Sequence, residues 1–511
     1  MPRKVFIFGT HPLCDDILAQ CRQRGWVSHV FPDLAVPSGE LPPDECVVLP
    51  AGDGNGTAAD AGTQRFLIAL AQHWKGCSTR RPLVHILLRE PSTLRMYQLT
   101  DFPPVVNEVF EVWPFTMEEA WADHVVVRYP GITGCSSPSL DRQPIGEDSR
   151  QFVHLVVAGF DSYAESIAVR AAQIAHFPNY NGKAAYPLRT RITVISKDVA
   201  SVRDRLVSVY RSFFDHSYYR SIYPDRVSSQ LHHPLFEGKR EDFVDVEWEF
   251  VEGTTDHPLI ADRLSAWAKD PRRQLTLVLS DAVDSLNMER AMSLPEAVFS
   301  ESVPVWVRLH DDILSATAAA HRRLGSILPF GMDREGYDIS IPAVRMARLL
   351  HYFYACTFAD GRTPTVFRPD DVEREWSQVG SFKMRLYNVW NVMTMATKMH
   401  SLGHQPDDLS TFYALSSEET EALTLTEHNR WCVERLLSGT RPCTDEEREE
   451  VRADIRLKSV YKKERDAHID LCANDELGTD AQGNDVRIYD RALTASISLI
   501  VESYLNGEGV R

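Results

Sequence analysis

Residues Phe152–Asn181 read FVHLVVAGFDSYAESIAVRAAQIAHFPNYN, and this stretch decides the fold. It opens on an apolar run, Phe152 to Ala158, halted by Gly159. Ala164, Ile167, Ala168, Ala171, Ala172 and Ala175 follow at spacings of three and four, which puts small residues on one helix face. A face that small lets a helix sit close to a sheet. Strand, glycine turn and close-packed helix together open a dinucleotide-binding βαβ unit.

The glycine fingerprint of such a unit is incomplete. A G-x-G-x-x-G loop would need glycines where this chain has Gly159, Asp161 and Ala164. Gly159 serves the tight turn and Ala164 is an accepted third residue, but Asp161 puts a carboxylate where bare backbone usually approaches a pyrophosphate. The candidate crevice comprises Gly159, Phe160, Asp161 and Ser162. Lys197 and Asp198 join it at the end of the next strand, RITVIS, where an acidic side chain usually grips ribose hydroxyls. Two readings stand: a site for an NAD-like or adenine nucleotide, and a scaffold of the same shape that binds nothing there.

Downstream, VDVEWEFV, QLTLVLS and VPVWVRL continue the strand pattern and close a five-stranded unit near Leu309. The aromatic-rich segment Val199 to Tyr223 reads as one long amphipathic helix. Upstream, five apolar runs, KVFIFG, WVSHVF, ECVVLPA, PLVHILL and EVFEVWPF, alternate with helical patterns over Pro12–Gln23 and Thr63–Lys75. That alternation predicts a second parallel sheet covered on both faces. Only Gly9 survives of a phosphate loop in its first turn. The glycine-rich Ala51–Thr57 reads as a turn or an anion cradle. The polar stretch Gly134–Arg150 reads as a linker. Beyond Ile313 the strand signal stops and helical patterns take over.

The chain has 511 residues, too many for one hydrophobic core, which predicts several domains. A net charge of −17 without a long basic run argues against an extended nucleic-acid surface but leaves small nucleotides open. No apolar stretch approaches the length that crosses a bilayer, and MPRKVFIFGT lacks the apolar length of a signal peptide. Nine scattered cysteines without a C-x-x-C pair fit reduced thiols and a cytoplasmic location. A P-loop, a G-x-S-x-G elbow and an H-E-x-x-H helix are all missing, so no catalytic residue and no metal site is predicted.

The last third carries Glu427-His428-Asn429-Arg430-Trp431, then Leu436-Leu437-Ser438-Gly439. Glu427 and Arg430 lie one turn apart and can pair, and Gly439 suits a helix C-cap. A face of Trp431, Tyr461 and Tyr489 with Arg430 and Lys462 beside it could hold an adenine ring and a phosphate. Equally, Trp431 could be core and Glu427–Arg430 a structural ion pair.

This motif resembles the signature of the ryanodine-receptor (RyR) domain. It is followed by Lys462-Lys463, His468, Asp475-Glu476-Leu477 and Tyr489-Asp490-Arg491, with Thr440 standing where that family has a tryptophan. Ile327–Met332, His351-Tyr352 and the helix from Tyr387 to Gly403 are similar to the helical portion that precedes the motif in bacterial multidomain proteins. In those proteins the preceding part resembles the nucleotide-binding domain of TrkA-type (RCK) potassium-uptake regulators, and AGFDSYAESIAVRAAQIAHFPNY is similar to its first βαβ turn. The resemblance implies α/β architecture: two Rossmann-like doubly wound parallel-sheet domains followed by a helical RyR-type module. The expected divisions are 1–140 and 150–312 for the Rossmann-like domains, 313–410 for the first helical portion and 411–511 for the RyR domain.

It also implies a nucleotide-sensing regulatory or effector protein, a homo-oligomer, of the kind placed with prophage or antiviral nucleotide signalling. Its small nucleotide-type ligand would change domain arrangement or assembly. Glu427, Arg430, Trp431, Tyr461, Lys462 and Tyr489 would line the module's pocket. The alternatives are an NAD(P)-dependent or nucleotide-cleaving enzyme, and a channel-regulating or assembly subunit with vestigial pockets.

Overall fold

Five short apolar runs form the first sheet: β1 (Lys4–Phe8), β2 (Val27–Phe31), β3 (Glu45–Val48), β4 (Leu83–Leu87) and β5 (Glu111–Phe115). The computed structural model describes every residue except 1, 51–55, 79, 130–138, 225–227, 235–241, 311–325, 359–360, 406–414, 481 and 509–511. All pairings in this sheet are parallel, in the order β2-β1-β3-β4-β5. β3 and β4 are buried along their whole length, as strands between two helical layers must be. The connecting helices are α1 (Leu13–Gln23), α2 (Gly56–Trp74), α3 (Pro91–Leu99), α4 (Pro104–Val109) and α5 (Met117–Val126). The expected strands are all present. Helix α2 begins at Gly56 rather than Thr63, so Gly56 and Thr57 belong to it, while the rest of the glycine turn lies outside the described residues.

The second sheet contains β6 (Phe152–Ala158), β7 (Thr190–Ser196), β8 (Tyr219–Tyr223), β9 (Ser228–His232), β10 (Val246–Glu252), β11 (Arg273–Leu279), β12 (Val305–Arg308) and β13 (Ile327–Phe330). Its order is β13-β12-β11-β6-β7-β10-β8-β9, parallel throughout except for the β8–β9 hairpin. The six strands from β10 to β13 follow the 3-2-1-4-5-6 order of a dinucleotide-binding sheet. Its helices are α6 (Ser162–Ile174), α7 (Val199–Val209), α8 (Arg211–Phe214), α9 (Pro258–Lys269), α10 (Asp284–Ser293) and α11 (Glu296–Ser300).

Two expectations are corrected here. The segment Val199 to Tyr223 is not one helix: it breaks at Tyr210 and ends as β8, which adds in parallel to β10. Aromatic and β-branched residues serve a strand as well as a helix, and the free edge of β10 decides between them. The strand signal also does not stop at Ile313, because β13 pairs with β12 and completes the sheet. Four residues with Pro329 among them carry no readable alternation, and an edge strand tolerates the proline.

The last third is helical: α12 (Pro342–Phe358), α13 (Pro369–Ser377), α14 (Phe382–Val392), α15 (Met395–Ser401), α16 (Ser417–Leu437), α17 (Asp445–Ala453), α18 (Leu457–Glu464), α19 (Arg487–Ala495) and α20 (Ile497–Leu505). Two-residue strands β14 (Arg441–Pro442) and β15 (Ala467–His468) pair between them. Helix α16 starts with a capping box, Ser416 with Glu419, and stops before Gly439 at φ +86°.

One apolar core joins all three parts. It runs from Val5 and Ile7 through Val153 and Leu155 to Met346, Leu350 and Ile500. Helices α5 and α6 lie side by side between the two sheets, tied by Arg170 Nε to Asp123 Oδ1 at 2.6 Å. The described part of the linker is packed rather than free. Leu140 and Ile145 are buried, and Asp141 pairs with His400 Nδ1 at 2.9 Å. Among the described residues no helix is long and apolar enough to cross a membrane.

Candidate functional site

Where β6 ends, Gly159 turns the chain at φ +80°. A Cβ at this residue would lie 2.4 Å from both Ser280 O and Arg290 Nη1, so only glycine fits. Asp161 caps α6, its Oδ1 accepting from Ala164 N at 2.9 Å and from Ser280 Oγ at 2.8 Å. Its other oxygen is held by Arg308, which also lies 4.2 Å over the Tyr163 ring. Arg290 pairs with Asp281 at 3.0 Å. The switch-point crevice between β6 and β11 is therefore filled by the chain's own Arg290 and Arg308. The carboxylate of Asp161 takes the part that a phosphate would play at this helix end. Lys197 and Asp198 are exposed at the end of β7 and line neither cavity described below.

The open space lies on the other side of the same turn. A cavity of about 580 Å³ is enclosed by α3, α6, α7, α14 and the residues that follow α16. Phe160, Asp161 and Ser162 line it, facing Leu437, Ser438 and Gly439. Ser162 donates to Glu118 at 3.0 Å, and Ser212 donates to Gly439 O at 3.2 Å, binding the second sheet to both of its neighbours. Charged groups at the wall come from several helices, among them Arg95 from α3, Glu165 from α6, Arg205 from α7 and Lys383 from α14.

A second cavity, of about 490 Å³, shares Leu94, Gln98, Glu119, Arg170 and Trp390 with the first. Arg170 is buried between Glu119, Asp123 and Gln173 and so forms the partition between the two spaces. Aromatic rings line the second cavity, Phe115 stacking on Tyr337 at 3.7 Å and Trp113 edge-on to Phe382 at 5.2 Å. Comparison with family models, with curated proteins and with solved structures returns no match to this chain.

The residues expected to form one pocket in the C-terminal module differ in burial and partners. Glu427 and Arg430 are buried, with Arg430 Nε 2.8 Å from Glu427 Oε2. Glu427 also accepts from Asn391 at 2.7 Å and from Lys398 at 2.5 Å, and Arg430 reaches Glu434. Burial alone would raise the Glu427 carboxyl; Arg430 and Lys398 hold it at about 2. Trp431 is half-buried, parallel to His428 at 5.9 Å and edge-on to His468 at 5.0 Å. Lys462 is at the surface, while Tyr461 turns the other way and packs with Cys443, Val451 and Ala467. Tyr489 donates to Asp480 at 2.8 Å and packs on Phe358 at 4.7 Å.

His428 sits between two acceptors, Cys472 O at 2.8 Å and Asp490 Oδ2 at 3.3 Å. Burial opposes its charge, but Cys432 and Asp490 hold the imidazolium well above its ordinary range. Sequence reasoning missed Arg308, Lys398, Arg95, Arg205 and Lys383. Two of them leave a signal: Arg308 closes the apolar run VPVWVR, and Lys398 interrupts the apolar face of MATKMH. Such a charge is retained in the interior only with a partner.

Proposed function

We propose that this chain reads a small nucleotide-type ligand in the cleft between its three parts and responds by shifting their arrangement or its assembly. The observation that carries this reading is the junction cavity, whose wall is built from α3, α6, α7, α14 and the end of α16 at once. A ligand there touches every unit, so any difference in its affinity between two domain arrangements becomes a change of arrangement. The size suits a mononucleotide, and an aromatic-lined space lies directly across the Arg170 partition.

The filled switch point favours the cleft over the crevice as the ligand's place. Motif resemblance to RyR-type and TrkA-type regulators supports the same class of ligand. The buried Glu427–Arg430 network would then brace α16, whose end lines the cavity.

Isothermal titration of the full chain with ADP, AMP and NAD tests the reading, alongside mass spectrometry of any copurifying small molecule. Phe160→Ala and Trp390→Ala variants report on the cleft. We expect saturable binding that both variants weaken. Binding that survives in both variants but is lost on changing Lys197 or Asp198 would move the site to the sheet's crevice.

A further inference from the structure

The wall of the junction cavity contains an ion cluster in which cations outnumber the acid between them. Arg95 Nη2 lies 3.5 Å from Glu165 Oε1, and Arg205 Nη1 pairs with Glu165 Oε2. Tyr210 donates to Glu165 Oε1 at 3.3 Å and receives Arg95 Nη2 at 2.5 Å. One carboxylate thus gathers two guanidiniums, from α3 and α7, and the phenol of Tyr210 at the end of α7. The carboxylate is sheltered, at 13% exposure, whereas Arg95 and Arg205 are 42% and 49% exposed and reachable from the cavity. Lys383 lines the same cavity and makes no ion pair among the described residues.

The other acids at this wall are mostly paired elsewhere. Asp161 is held by Arg308 and Glu119 by Arg170, so Glu165 and Glu90 alone face Arg95, Arg205 and Lys383. Two planar guanidiniums converging on the two oxygens of one carboxylate are arranged as they would be around two oxygens of a phosphate.

We infer that Arg95, Arg205 and Lys383 form a phosphate subsite whose resting occupant is the Glu165 carboxylate. This rests on the junction-cleft reading and adds the ligand's chemical class, a mono- or diphosphate, and a device that tunes its affinity. A bound phosphate takes Arg95 and Arg205 from Glu165. Because Arg95 belongs to α3, Glu165 to α6 and Arg205 to α7, the exchange loosens one set of ties between the first and second sheets. It draws Lys383 of the helical module into their place.

The test is calorimetric titration of the full chain with ADP and inorganic pyrophosphate, with adenosine as the phosphate-free probe. Removing the internal competitor by Glu165→Gln should tighten ADP and pyrophosphate binding about fivefold and leave adenosine unchanged. Arg95→Gln and Lys383→Gln should weaken both phosphate ligands, and they carry the test if Glu165→Gln does not fold. Wild-type binding with no gain in Glu165→Gln overturns the stand-in role while leaving the cleft reading intact. So does unchanged pyrophosphate affinity in both Arg95→Gln and Lys383→Gln. Failure of the wild type and every variant to bind any of the three probes overturns the cleft reading as well.

Discussion

Lys398 Nζ lies 2.5 Å from Glu427 Oε2, and both side chains are almost wholly out of water. The pair joins α15 to α16, and Asn391 of α14 and Arg430 complete it. Glu427 neutralises two cations, whereas Lys398 is one of two that neutralise Glu427. Their removal therefore has unequal cost. Glu427→Gln strands Lys398 and leaves Arg430 with Glu434 as its remaining carboxylate, and should cost about 3–5 kcal/mol. Lys398→Met leaves Glu427 paired with Arg430 and should cost about 1–2 kcal/mol. Urea unfolding followed by circular dichroism checks the order, and equal losses would contradict it.

Acid should unfold this protein through a small set of buried carboxyls. Glu45, Glu249 and Glu427 each fall from 4.5 to about 2, although burial works the other way in all three. The cause is their partners: a hydrogen bond from His85 with the cations Arg345 and Arg3 for Glu45, Arg191 and Arg220 for Glu249, Arg430 and Lys398 for Glu427. Each folded value lies below the unfolded one, so the stabilisation is complete above about 4.5 and is lost as pH falls toward about 2. The contribution is roughly 3 kcal/mol for each isolated group. Thermal unfolding from pH 6 to pH 3 should show a steep fall below pH 4.5; a flat profile would contradict the assignment.

Gly159 should accept no other residue. Alanine there adopts a left-handed backbone and drives Cβ into Ser280 O at 2.4 Å. The backbone term alone is about 1–3 kcal/mol, and the clash adds to it. A Gly159→Ala variant that melts with the wild type would show that the β6–α6 turn differs from the one described.

Asp161 performs two tasks that substitutions separate. Asp161→Asn keeps a cap acceptor for Ala164 N but loses the charge facing Arg308. Asp161→Ala loses both. The cap is worth about 1 kcal/mol. Leaving buried Arg308 without its carboxylate costs about 3 kcal/mol. The expected order of stability is wild type, Asp161→Asn, Asp161→Ala. If phosphate ligands bound at this turn instead, both variants would bind them more tightly, which calorimetry reads directly.

Much of the architecture is legible in the sequence. The apolar runs of both sheets carry their own burial, and the small face of α6 announces a helix pressed on a sheet. The two missed elements of the second sheet, the β8–β9 hairpin and β13, are edge elements. Their residues are ambiguous alone, and a neighbour's unpaired backbone groups settle what they become.

The site divides differently. From sequence alone come the glycine turn, the odd carboxylate of Asp161, the Glu427–Arg430 pair one helical turn apart and the cap at Gly439, because each is a local fact within a few residues. The sequence could not say that Asp161 faces Arg308, that Glu427 needs Lys398, or that Arg95, Glu165, Arg205 and Lys383 meet at one wall. Those partners lie from tens to hundreds of residues apart and act only through distance in space. Charge and burial are properties of a neighbourhood, and the neighbourhood exists only once two sheets and a helical module have packed around a common core.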